Sequence, residues 1–174
     1  MSAERIDPPL YGDEATMMRA FLDYHRDTFR SKCAGLDAEQ LDSALAPSEM
    51  TLGGMMKHLA LVESNWFSHV FKGNPDVAPW DSVDWDADAD WDWHSAKHDS
   101  PEDLRRLFDE SVAASDAILD LGDPLETPSV QTSRRTGEGK FSLRWIILHM
   151  IEEYARHNGH ADLIREAIDG QTGE

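Results

Sequence analysis

Cysteine is almost absent: Cys33 stands alone among 174 residues. An internal disulfide is therefore impossible, and no paired-cysteine zinc spacing exists. Long apolar runs are missing as well. Nothing approaches the roughly 20 residues that span a bilayer. The opening stretch MSAERIDPPLYGDE has no apolar segment of the kind a secretory leader needs, so a cytoplasmic location is expected. Positive charge is scarce, with 16 Lys and Arg against 34 Asp and Glu and a net charge of −18. Phosphate backbones and anionic membranes both demand clustered cations, so neither nucleic acid nor membrane is an expected partner. The longest basic pair outside the helical segments is Arg134-Arg135. Three catalytic signatures are also missing: a G-x-S-x-G elbow, a phosphate-cradling glycine loop and H-E-x-x-H. Gly53-Gly54 is too short for a phosphate loop and reads instead as a point of close backbone approach.

What remains is mostly helix. Apolar residues make up 40% of the chain, enough for one domain over residues 1–174 with a sizeable core. Four segments carry a helical apolar period. The first runs from about Asp13 to Lys32, with Met18, Phe21, Leu22, His25 and Phe29 on one face. The second runs from about Thr51 to Lys72, where Met55, His58, Val62, Trp66 and His69 form a stripe, and Gly73, Asn74 and Pro75 end it. The third starts at Ser100 as N-cap with Pro101 in the first helical position. It runs to about Leu121, and its small Ser111 and Ala114 permit close helix approach. The fourth runs from about Phe141 to Asp169 and stops at Gly170. The expected fold is an all-α four-helix bundle with a long Trp/Asp-rich loop, residues 74–99, between helices two and three. That loop holds Trp80, Trp85, Trp91 and Trp93 among Asp81, Asp84, Asp86, Asp88, Asp90 and Asp92. Tryptophans anchor loops well, so it reads as an acidic connection pinned to the bundle, or as the wall of a substrate pocket. The calcium-loop spacing is absent.

Helix four breaks its own pattern. At 100° per residue, Ile146, Met150, Ala161, Ile164 and Ile168 fall on the side of Glu153. The middle of that face holds His149, Glu153, His157 and His160. A buried carboxylate is normally paired or bound to a metal. Glu153 and His157 lie one turn apart and suit one ion, whereas His149 and His157 are about 12 Å apart along the axis. A third ligand must come from another helix, and helix two offers His58 and His69 on one stripe. Spacing does not choose between them. His157 with His160 is an alternative pair, leaving Glu153 to orient a ring. His25 reads as an ordinary hydrogen-bonded core histidine, and His69 taken alone would read the same way.

At these residues the chain resembles a known family. SLRWIILHMIEEYARHNGHADLIRE, residues 142–166, is similar to the last helix of the DinB superfamily. TLGGMMKHLALVESNWF, residues 51–67, is similar to its second helix. The resemblance is to the mycothiol-transferase-like branch related to mycothiol-dependent maleylpyruvate isomerase. It implies a DinB-like bundle with a divalent metal between helices. It also implies His58, Glu153 and His157 as the ligands, where many other members use three histidines.

Two imidazoles and a carboxylate leave a tetrahedral ion with an open position, as in catalytic zinc sites. Nickel, manganese and iron accept the same donors. The resemblance implies a thiol S-transferase in which a metal-bound low-molecular-weight thiol of the mycothiol type attacks an electrophilic small molecule. The partners would be that thiol and that electrophile, and a homodimer is compatible with such a bundle. His149 and His160 become acid/base candidates. Arg144 becomes a candidate catalytic or anion-holding residue, or a surface cation paired with acids. Asn65 is a candidate cofactor contact. Cys33 has no activating neighbour and reads as a bystander. Hydrolysis by metal-bound water and a non-enzymatic metal- or ligand-binding role are the alternatives.

Overall fold

The computed structural model describes residues 5–133 and 137–172, so Arg134-Arg135 lies outside it. The bundle is built from α1 (Glu14–Cys33), α3 (Leu52–Glu63), α5 (Pro101–Leu119) and α6 (Leu143–Asp169). Each of these starts on a side-chain cap: Asp13, Thr51, Ser100 and Ser142 each accept from a backbone N–H three residues on. Minor helices α2 (Ala38–Leu41) and α4 (Trp91–Ser95) lie in the connections. A two-stranded antiparallel hairpin, β1 (Pro128–Thr132) and β2 (Lys140–Ser142), precedes α6. It takes Phe141 away from the helix that its apolar pattern predicts. No helix among the described residues is long and apolar enough to cross a membrane.

Helix directions follow from the contacts. Arg144 meets Glu14, Asn158 donates to the His25 carbonyl, and Arg165 donates to the Lys32 carbonyl. Both sequences rise together, so α1 and α6 are parallel. Arg30 meets Asp109 and Arg26 meets Asp116, so α1 and α5 are antiparallel. Gly53 abuts Leu104 and Ser115 reaches the Glu63 carbonyl, so α3 and α5 are parallel. A parallel pair cannot be joined by a tight turn. The chain leaving α3 must return along the whole helix before α5 begins, which is why the Trp/Asp-rich connection is long. On that return it passes over α3: Asp99 pairs with Lys57, and Trp93 packs on Gly54.

α3 is central and buried on nearly every side, from Leu52 and Met55 round to Leu59 and Glu63. It continues without a break into a π-helix, Ser64–Phe71, whose wider turns no sequence signal marks. Gly73 ends it at φ 73°, and a Cβ there would lie 2.5 Å from Val130 of the hairpin, so only glycine fits. On α1, Phe21 is exposed, and Arg26 occupies the core instead, at 1% exposure. Its guanidinium grips Glu63 with two 2.7 Å bonds, and Tyr154 Oη donates to the same carboxylate at 2.8 Å. This is the carboxylate that is fully buried and paired. On α5 it is Ser111 and Ser115 that face α3, while Ala114 is exposed.

Candidate metal centre

α6 buries one broad stripe that meets two helices. Asn158 and Arg165 bond to α1. Tyr154 reaches Glu63 of α3, and His157 meets His58 of the same helix. His58 and His157 meet there at 5.0 Å between ring centroids, edge to face. Glu153 stands one turn below His157, with its Oε2 3.6 Å from His157 Nε2. One donor atom from each of His58, Glu153 and His157 lies within 4.8 Å of the others. His69, eleven residues beyond His58 on the π segment, instead places Nδ1 3.1 Å from Asp76. His25 is capped by Asn158, and burial holds its pKa below the ordinary value.

The crossing loop completes this group. Asp92, 3% exposed, lies 2.8 Å from His58 Nδ1. A carboxylate there accepts a hydrogen bond from Nδ1–H, which fixes the proton on Nδ1 and leaves Nε2 as a lone-pair donor. Trp93 stacks on the His58 ring at 4.8 Å and 28° and also flanks His157 at 5.7 Å. The sequence does mark Asp92 and Trp93 as part of an unusual loop. Only the return path over α3 shows which aspartate meets His58.

His149 sits on the other side of Glu153, with Nε2 3.4 Å from Oε1. It stacks on Trp145 at 5.0 Å and takes Trp66 edge-on at 4.7 Å. His149, Glu152 and Glu153 form a second, more exposed cluster of donors. Interaction with His157 holds the Glu153 carboxyl below the usual range; burial opposes this, and the fields of His149 and His58 add to it. His160 is half-buried, 6.1 Å from the His157 ring, and its Nδ1 has no hydrogen-bond partner among the described residues. Arg144 is engaged elsewhere: its fork holds Glu14 and Glu126, each at 2.7 Å. Asn65 lies on the π segment, between two surface pockets.

The family model for mycothiol-S-transferases matches residues 17–170. The chain belongs to that family, which is DinB-like. No curated protein matches it. A crystal structure of a conserved protein from Enterococcus faecalis shares the fold. That chain is 17% identical with a TM-score of 0.53, and the match covers 92% of this chain and 100% of the other. As a mycothiol-S-transferase family member, the chain has a donor set that suits a divalent ion. Two imidazole nitrogens and one carboxylate oxygen come from two helices, and one imidazole is already oriented by a buried acid. His157 Nδ1, buried without a partner, adds a polar group that the described protein atoms leave unsatisfied.

Proposed function

We propose that this protein is a metal-dependent thiol S-transferase, with His58, Glu153 and His157 holding one divalent cation. Zinc suits the donor set best. A divalent cation there supplies the Lewis acidity that ionises a thiol at neutral pH. The thiol is of the low-molecular-weight, mycothiol type to which the family is matched, and the acceptor is an electrophilic small molecule. The new bond joins the thiol sulfur to an electrophilic carbon. The thiol proton either ends on the adduct or leaves with a displaced group.

The chain's own residues have distinct roles in this reading. Asp92 holds His58 in one tautomer and one orientation. Trp93 closes one side and excludes water from the His58–His157 pair. Glu153 offsets cationic charge and is itself flanked by His149, whose Nε2 is the atom placed to hold the thiol proton. His160 stands farther out and is the alternative proton carrier. Arg144, neutralised by two carboxylates, supports the start of α6 rather than an anionic ligand.

The observation that carries the reading is the convergence of His58, Glu153 and His157 across two helices, with Asp92 at 2.8 Å behind His58. The test is elemental analysis of the purified protein beside His58→Ala. About one equivalent of transition metal, lost in the variant, is expected. Thiol consumption with an electrophile should vanish together with the metal. A wild-type protein that takes up no metal after reconstitution overturns the reading. Turnover that needs metal but no thiol replaces it with hydrolysis.

A further inference from the structure

The thiol-transfer reading leaves the electrophile unplaced. Two surface pockets flank the π-helix, with Asn65 on the rim of both. One, of about 320 Å³, lies under the crossing loop against Trp80 and Trp85. The other, of about 550 Å³, opens between the π-helix and the hairpin, and its walls include Trp66, Phe141 and Trp145. That volume is in the range of small-molecule sites.

Three features single out the second pocket. Its aromatic rings form one connected set: Trp66 meets Phe141 edge-on at 5.1 Å, and Phe141 lies against Trp145 at 4.5 Å. Trp145 is nonetheless 43% exposed, a large ring presented to solvent rather than spent on the core. The same two tryptophans grip His149, whose Nε2 is 3.4 Å from Glu153. The wall of the pocket is therefore linked to the candidate metal centre through a single imidazole. Finally, no carboxylate is among the described residues that line it, in a chain of net charge −18. The Trp80–Trp85 pocket has Asp76 in its lining and no ring contact with His149.

We infer that the pocket between the π-helix and the hairpin receives the electrophile, and that it selects flat aromatic molecules by stacking on Trp145 and Phe141. Polar groups at its rim, Asn65 and Gln131, are available to hydrogen-bond electron-withdrawing substituents. The inference rests on the thiol-transfer reading for the word electrophile, but the pocket can be tested without thiol or turnover.

The probe is 1,3-dinitrobenzene, a flat nitroaromatic with no leaving group. It is titrated into the full chain by calorimetry, and its contacts are located by shifts of the tryptophan indole N–H signals in NMR. Saturable binding is expected, with the Trp66 and Trp145 signals moving most. Trp145→Ala should weaken it roughly tenfold, the scale of a lost aromatic stack plus its buried area. Trp85→Ala should leave it unchanged. Because Trp145 also packs on Trp66, Phe141 and His149, the variant is expected to melt somewhat lower while keeping its fold and metal content, both measured as controls. Trp145→Phe, which retains a stacking ring, should keep most of the binding. Loss of binding in Trp85→Ala but not in Trp145→Ala places the aromatic site under the loop and overturns the inference. So does no binding by the wild type at millimolar probe. A wild-type protein that binds the probe but never takes up metal keeps the pocket while the transferase reading fails.

Discussion

Asp92 and His58 come from positions 34 residues apart, yet each restricts the other. Removing the carboxylate frees the ring to turn and to change tautomer. Asp92→Asn is expected to lower metal affinity by about 10- to 100-fold with the fold intact, measured by competition with a chromophoric chelator. Unchanged affinity would remove Asp92 from the site. The Arg26–Glu63 pair belongs to the core instead. Glu63→Gln leaves a guanidinium at 1% exposure with only the more exposed Asp23 and Asp116 as counter-charges, and a loss of about 3 kcal/mol in urea unfolding is expected. Its effect on turnover should be secondary to that loss. Cys33 is the opposite case: burial pushes its thiol up to about 12, so it stays protonated at neutral pH. Iodoacetamide at pH 8 should leave it unmodified in the folded protein and alkylate it in urea. Because the raised value favours the neutral form, Cys33 costs the fold nothing below about pH 9 and begins to destabilise it above.

Among the elements, α3 and α4 meet at a close approach. A Cβ on Gly54 would sit 2.8 Å from the Trp93 ring, a distance that forces movement. Trp93 is the ring stacked on His58, so Gly54→Ala acts on the centre through one neighbour. It is expected to destabilise the protein by about 1–3 kcal/mol and to weaken metal binding. A variant that binds metal as wild type does would show that Trp93 is not needed to hold His58. Much of this level was legible in the sequence. Thr51 and Ser100 announce their helices, and the polar residues in the helix-four stripe mark Glu153 and His157. The π-helix was not legible, because its widening follows from packing and leaves no compositional mark. The Arg26–Glu63 pair was hidden for a related reason: each residue alone looks like a surface charge, and only the helix order brings them together. Asp92 could not be told from the other aspartates of the loop until the path of the loop was known.

For the whole molecule, acid is the weak side. Asp13, Glu14, Asp88, Asp103, Glu126 and Asp169 are all held below their ordinary values, chiefly by hydrogen bonds from caps, histidine and arginine partners. Depressed carboxylates bind protons more readily in the unfolded chain. Their contribution is therefore complete above about pH 4.5 and is lost as pH falls through the folded values. Asp116, raised by burial despite Arg26 and Arg19, works in the other direction but is a single group. The urea midpoint should fall steadily from pH 5 to pH 3, and a flat profile would contradict this balance. The parallel pairing of α1 with α6 carries a consequence for how fast the bundle assembles. Contacts such as Arg144 to Glu14 and Arg165 to the Lys32 carbonyl join residues more than 125 positions apart. That gives the bundle a high contact order for an all-helical protein, and closing so long a loop delays the reward of contact. Refolding should therefore run slower than in bundles whose successive helices pair only with their neighbours, and the rate should respond most to substitutions along the α1–α6 seam.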